Sequence, residues 1–146
     1  MHSIDHRIGI KAPVSAIYHA LTTNEGLAQW WTNDVSGAGD VGAIIEFRFN
    51  GGGPDFTVAQ LIKDNLVRWR HTGNVPEAWR GTEISFSLES TTEQVFVNFS
   101  HSHWQESSKF MAHCNTKWAV FLLSLKELLE GGKGHPFPED IQIDHA

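Results

Sequence analysis

The sequence predicts an α+β fold, in which most of the chain forms an antiparallel sheet and one long helix closes over it. Two patterns support this prediction. Between Ser107 and Glu130, apolar residues recur at the i, i+3, i+4, i+7 spacing of a helix with one apolar face. Upstream, several segments alternate apolar and polar residues, as half-buried strands do. Because the strands follow one another and the helices are set apart from them, the pattern favours a layered α+β arrangement over a parallel sheet.

The long helix is the most strongly patterned element. Gly131 and Gly132 follow it, at the place where a left-handed C-terminal cap favours glycine. At 1.5 Å per residue the helix is about 36 Å long, which is enough to cross a small domain. A helix of this length over a curved sheet can enclose a cavity, and such a cavity suggests that the protein binds a ligand. Its apolar face consists of Phe110, Met111, Cys114, Trp118, Phe121, Leu122, Leu125, Leu128 and Leu129.

About six strands and two short helices precede the long helix. The first strand alternates over residues 4–10, and Pro13 then stands where a short helix begins. Thr22 and Glu25 have the spacing of a capping box for a second short helix, which carries Trp30–Trp31. The remaining strands are expected at residues 41–49, 56–62, 66–71, 82–88 and 95–103.

Length and composition indicate one domain over residues 1–146. The formal net charge is −6 with only 11 Lys and Arg and no basic stripe, which argues against a nucleic-acid partner. The first ten residues lack the features of a signal peptide, and no apolar run is long enough for a membrane span. Cys114 is the single cysteine and is expected to be buried. These features predict a cytoplasmic protein.

No motif in the chain identifies a catalytic or cofactor site. The segment Gly37–Gly42 matches the dinucleotide fingerprint in its letters, but a strand follows it where that motif needs a helix. No Gly-x-Ser-x-Gly nucleophile elbow occurs. Glu46 and Arg48 share an outward strand face, whereas Asp55 and Glu83 have no evident partner. We therefore predict no catalytic residue and no cofactor.

Four histidines are expected on inward strand positions. His6 and His71 alternate with apolar neighbours, and His101 and His103 should share one face because they are two residues apart on a strand. Imidazole suits zinc, copper and iron, but no carboxylate or cysteine completes a known metal spacing. The sequence therefore predicts no metal site. Two roles remain open for these histidines. They can act as polar groups that orient a ligand in a pocket, or they can be hydrogen-bonded by the protein or by solvent without a functional role.

The chain contains six tryptophans and nine phenylalanines, which can fill a core or line an apolar pocket. Trp118 faces the sheet from the long helix. Trp30 and Trp31 are consecutive, so one is expected to pack and the other to reach the mouth of the cavity. Trp79 lies in a loop near Pro76 and is a candidate lid residue.

Three segments then resemble a known family. Residues 10–13 (IKAP), 17–22 (IYHALT) and 27–31 (LAQWW) are similar to the opening of SRPBCC, or START-like, domains. Residues 117–134 also resemble the branch that contains homologues of the activator of the heat-shock ATPase and the calicheamicin-resistance protein. The resemblance covers essentially the whole chain.

The resemblance implies a helix-grip fold, with a curved antiparallel sheet wrapped around the C-terminal helix and a cavity between them. Members bind lipids, sterols, polyketides or other apolar small molecules, and some catalyse cyclisation or hydrolysis. The family supplies no invariant catalytic residue. Together with the loop residue Trp79, the ligand-binding candidates by position are Trp31, Phe47, Trp69, His71, Phe86, Phe99, His101, Phe110 and Trp118.

Three functional hypotheses follow. The first is a protein that binds an apolar or aromatic small molecule, with His71 and His101 fixing its orientation. The second is a cyclase or hydrolase that uses a cavity histidine as acid or base. The third is an interaction protein, either co-chaperone-like or a homodimer, which would need an exposed apolar patch such as one around Ile44.

Overall fold

A computed structural model describes residues 1–73 and 76–144 and confirms the α+β helix-grip fold. Seven strands form one antiparallel sheet in the order β1-β7-β6-β5-β4-β3-β2. A long helix, α3, packs over the sheet with two short helices nearby. The elements are β1 (His2–Ile10), α1 (Val14–Thr22), α2 (Asn24–Ala28), β2 (Asp34–Ser36), β3 (Ile44–Arg48), β4 (Asp55–Ile62), β5 (Leu66–Thr72), a 3₁₀ turn (Glu77–Trp79), β6 (Glu83–Ser90), β7 (Val95–Trp104) and α3 (Lys109–Gly131).

The sheet has one more strand than expected. The additional strand, β2, pairs with β3 through Asp34 and Arg48 at one end and Ser36 and Glu46 at the other. With three residues, it is too short to show an alternating pattern in the sequence. The strand predicted at residues 41–49 is also shorter, because β3 spans only Ile44–Arg48.

The ends of α3 follow standard capping chemistry. The Ser108 hydroxyl accepts a hydrogen bond from the Met111 amide at 3.1 Å and so caps the N-terminus. At the C-terminus, Gly132 has φ of 82° and its amide donates to the Leu128 carbonyl at 2.9 Å. The apolar stripe predicted for this helix is buried at Cys114, Trp118, Phe121, Leu122 and Leu125.

The cap of the second short helix is displaced by one residue from the prediction. Thr23, not Thr22, accepts the capping hydrogen bond, from the Gly26 amide at 3.0 Å. The Thr22 hydroxyl instead donates to the Tyr18 carbonyl at 2.7 Å, because Thr22 is still the last residue of α1. The two helices follow each other so closely that the spacing alone could not distinguish these positions.

Strand β7 departs from simple alternation near its end. His101 is buried, but His103 has φ of 67° and its side chain is exposed, while Trp104 is buried. The pairing of β1 with β7 shifts register at the same place, between His2 and Ile4. The prediction that His101 and His103 share a face is therefore wrong, because an irregularity exchanges the two faces of the strand.

The outer face of the sheet is polar and carries ion pairs. Arg48 contacts Glu46 at 2.8 Å and Asp55 at 2.7 Å. Glu83 lies 3.5 Å from His103 and 3.6 Å from Arg70. Asp55 and Glu83 had no evident partner in the sequence because their partners lie on neighbouring strands that sequence spacing does not connect. Surface pairs of this kind contribute at most about 1 kcal/mol each.

The segment that follows α3 returns to the body of the protein. Phe137 donates its amide to the Trp31 carbonyl at 2.7 Å and accepts from the Asn33 amide at 3.2 Å. Further along, the buried carboxylate of Asp140 forms an ion pair with Lys117 of α3. These contacts hold the segment against α3 and against the turn after α2. No helix in the described part of the chain has the length and apolarity to cross a membrane.

Candidate functional site

An apolar cleft of about 400 Å³ lies beside the N-terminal half of α3. The helix forms one wall, the loop between β3 and β4 forms another, and the segment after α3 closes a third side. Tryptophan and phenylalanine rings are the most frequent side chains in the lining. The cleft is lined by Trp31, Phe49, Gly52, Gly53, Pro54, Pro76, Trp79, Phe110, His113, Cys114, Lys117, Trp118, Phe121, Phe137 and Gln142.

Trp31 forms the inner end of the cleft. Its ring centroid lies 4.2 Å from that of Phe47 and 4.9 Å from that of Trp118. It also stacks parallel to Trp69, with a centroid distance of 6.2 Å and an interplanar angle of 1°. Trp30 is buried as well, and its indole N–H donates to the Ala20 carbonyl at 2.9 Å. Both tryptophans therefore pack, and Trp31 reaches the cleft from the core.

A chain of buried hydrogen bonds runs behind the cleft wall. The indole N–H of Trp118 donates to Nδ1 of His101 at 3.1 Å. Because Nδ1 accepts, the neutral imidazole carries its proton on Nε2, which donates to the Thr82 hydroxyl at 3.0 Å. That hydroxyl in turn donates to the Trp79 carbonyl at 2.5 Å. The chain connects α3 to the loop before β6 and positions Trp79 and Trp118, two of the three tryptophans among the lining residues.

His101 is held in its neutral form. Burial, with a smaller contribution from the nearby imidazole of His71, lowers the pKa of His101 from 6.5 to about 3. Both ring nitrogens are bonded to protein groups, and neither His71 nor His101 lines the cleft. The geometry therefore does not favour either imidazole as an acid–base group for a ligand in this cleft.

The structure separates the ten predicted ligand-binding residues into two sets. Trp31, Trp79, Phe110 and Trp118 line the cleft. The other six lie behind it, where rings from neighbouring strands contact one another; Phe86, for example, lies 5.3 Å from Trp69 and 5.2 Å from Phe99. The middle of the helix–sheet gap is thus a packed aromatic core. The six are Phe47, Trp69, His71, Phe86, Phe99 and His101.

Sequence reasoning missed several cleft residues. His113 and Lys117 lie three and seven residues after Phe110, on the helix face next to the apolar stripe, so the helical period could have identified them. Phe49 continues the alternation of the strand predicted at residues 41–49, whereas Phe137 had no such signal. Their rings lie 5.1 Å apart and come from a loop and from the segment after α3, which only the folded chain brings together.

Cys114 and the histidines provide no evident nucleophile or metal centre. Cys114 is 5% exposed, and burial raises the pKa of its thiol to about 11, although the neighbouring Trp79 indole acts in the opposite direction. The thiol therefore stays protonated near neutral pH and is a poor nucleophile. Within residues 1–73 and 76–144, no three His, Cys, Asp or Glu side chains are grouped as metal ligands.

Comparison with known proteins agrees with this architecture. The family described as Activator of Hsp90 ATPase homolog 1-like protein matches residues 11–130. The solution structure of the Aha1 dimer from Colwellia psychrerythraea is 66% identical, covers 92% of this chain and 100% of that chain, and has a TM-score of 0.86. No curated protein matches the sequence.

Two more distant structures share the fold. Protein MLL2253 from Mesorhizobium loti is 16% identical, with coverage of 88% of this chain and 96% of that chain and a TM-score of 0.79. CalU16 from Micromonospora echinospora is also 16% identical, with coverage of 88% and 74% and a TM-score of 0.74. At this identity the likeness concerns the fold alone.

Proposed function

We propose, from the premise that this chain belongs to the Activator of Hsp90 ATPase homolog 1-like protein family, that it binds an apolar or aromatic small molecule in the cleft beside α3. The observation that carries this proposal is a ring-lined opening of about 400 Å³. Small-molecule sites in proteins commonly measure about 300–1,000 Å³ and are lined mainly by apolar and aromatic side chains. The volume and the lining of this cleft agree with both features.

Burial of ligand surface would supply the binding free energy. Each Å² of apolar surface removed from water contributes about 25 cal/mol. The inner wall does not need to reorganise, because Trp31 and Trp118 are already held by ring contacts and Trp118 also by its hydrogen bond to His101. A preorganised wall lowers the entropic cost of binding. Phe110 is 41% exposed at the rim and is the lining ring with the most surface left to cover.

Fluorescence titration with the neutral probe N-phenyl-1-naphthylamine tests the proposal. We expect saturable binding to the wild-type protein, and Phe110→Ala should weaken it about fivefold because one aromatic wall is lost. Leu123→Ala is the matched control: Leu123 is an exposed apolar residue of the same helix, 52% exposed, but it does not line the cleft. Its affinity for the probe should equal that of the wild type.

NMR chemical-shift mapping with the same probe locates the site. The largest shifts should fall on Trp31, Trp79 and Trp118. The proposal is rejected if the probe and a broad panel of apolar and aromatic compounds produce no saturable shifts at the cleft. It is also rejected if Phe110→Ala and Leu123→Ala have the same effect on probe affinity.

Self-association is a second candidate property, because the relative from Colwellia psychrerythraea, at 66% identity, is a dimer. Sedimentation equilibrium should then give about twice the 16.3 kDa of a single chain at micromolar concentration. The mass should fall toward that of one chain on dilution if the association is reversible. A mass of one chain across the whole concentration range would exclude the homodimer.

A further inference from the structure

Lys117 gives the otherwise apolar cleft a basic end. It lies one turn after His113 on α3, and both side chains line the cleft. Among the described residues, none of those that line the cleft is an aspartate or a glutamate. The chain as a whole has a net charge of −6, so this basic end differs from the overall charge of the protein.

Both basic groups already hold carboxylates, and these come from the segment after α3. Lys117 pairs with Asp140 and also donates to the Ile141 carbonyl at 2.8 Å. His113 lies 3.0 Å from the Asp144 carboxylate through Nδ1. These carboxylates lie beyond residues 11–130, the part of the chain that matches the family. The segment thus shows that this end of the cleft accepts acidic groups.

Lys117 has bonding capacity left for a ligand. An ammonium group carries three N–H donors. Two of them are used by Asp140 and Ile141, and within the described residues the third has no hydrogen-bond acceptor, although Nζ also lies 5.4 Å from the centroid of the Phe121 ring. The side chain of Lys117 keeps 20% of its surface exposed, whereas that of Asp140 is fully buried. The side chain of Lys117 is therefore reachable from the cleft, whereas the carboxylate of Asp140 is not.

We propose that Lys117 binds the acidic head of the ligand and that the carboxylate of Asp140 competes for the same ammonium group. This inference rests on the proposed function and specifies the ligand class: an apolar or aromatic carboxylic acid. The rings of the cleft bury the body of such a molecule. Its carboxylate forms a charge-assisted hydrogen bond with Lys117, which is stronger than a neutral one. The Asp140 carboxylate opposes this contact by neutralising the ammonium charge.

Two isosteric competitors test the proposal. 1-Naphthylacetate and 1-naphthylacetamide differ in the charge of one small group, and each is titrated against bound N-phenyl-1-naphthylamine. We expect the acid to displace the probe from the wild-type protein at a several-fold lower concentration than the amide. In Asp140→Asn the preference for the acid should rise roughly tenfold, the order expected for a charge-assisted hydrogen bond. The affinity for the amide should stay unchanged.

Further variants assign the preference to the lysine charge. Lys117→Arg should keep the preference for the acid, and in the double variant Lys117→Met with Asp140→Asn the acid and the amide should displace the probe at equal concentrations. The double change avoids leaving the buried Asp140 carboxylate without a counter-ion. If Asp140→Asn does not fold, the wild-type comparison decides: tighter binding of the acid supports the proposal, and equal affinities overturn it.

The outcomes separate this inference from the proposed function. If the probe binds but the acid and the amide displace it equally in both the wild type and Asp140→Asn, the role of Lys117 is overturned and the apolar cleft remains. If the neutral probe does not bind at all, the proposed function fails, and this inference fails with it.

Discussion

Replacing Trp31 with alanine is expected to destabilise the protein by about 3–5 kcal/mol, the usual cost of removing a large buried aromatic side chain. Its ring contacts Phe47 of β3, Trp69 of β5 and Trp118 of α3, so one substitution removes packing between the sheet and the helix. The surrounding rings are held by other contacts and can only partly fill the void. The same change enlarges the inner end of the cleft.

Urea unfolding followed by circular dichroism measures this effect. Phe110→Ala is the matched comparison, because Phe110 also lines the cleft but is 41% exposed. Its substitution should cost only about 1 kcal/mol, since about two fifths of its surface is already in contact with water. A loss below about 1.5 kcal/mol for Trp31→Ala would show that the core around this ring is loosely packed.

Acidification is expected to remove about 3 kcal/mol of stability through His101 alone by pH 4. The pKa of His101 is about 3 in the folded protein, whereas its ordinary value is 6.5. Below pH 6.5 the unfolded chain therefore binds a proton that the folded protein does not bind. Stability from this source is complete above pH 6.5 and falls by about 1.4 kcal/mol per pH unit, until the folded protein is protonated near pH 3.

The variant His101→Gln isolates this contribution from that of the carboxylates, which titrate in the same range. Glutamine keeps hydrogen-bonding capacity toward Thr82 or Trp118 but cannot take up a proton. The variant should be less stable at pH 8, yet its free energy of unfolding should fall less steeply between pH 6.5 and pH 4. Parallel curves for the two proteins would mean that the pKa of His101 in the folded protein stays close to its ordinary value of 6.5.

The long helix could be predicted almost to the residue because it combines several local signals. Its apolar period and the glycine pair at its end both act within a few residues along the chain. The same reasoning located the strands from residue 55 onward to within one or two residues. It failed at β2, which has only three residues, and at His103, where the left-handed backbone reverses the faces of β7.

The candidate site was less accessible to sequence reasoning, because alternation shows which residues point inward but not which of them meet. Phe86 and Phe99 point inward as predicted, yet they contact each other and close the gap between helix and sheet. The opening lies elsewhere, where Phe49 and Phe137 approach α3 from irregular segments. Phe49 belongs to the alternation of residues 41–49, but no period in the sequence brings its ring against that of Phe137.

Local patterning was thus sufficient for the fold class, the family resemblance and the inward faces, because helix and strand periods are properties of neighbouring residues. The tertiary structure alone decided which part of the interior is filled by side chains and which part stays open as the cleft. The interior volume is filled by rings that are distant along the chain but in contact in the fold, such as Trp31 and Trp118. The hydrogen-bond partners of Lys117 and His101 also depended on the tertiary structure, because each of these two residues is bonded to residues at least seventeen positions away.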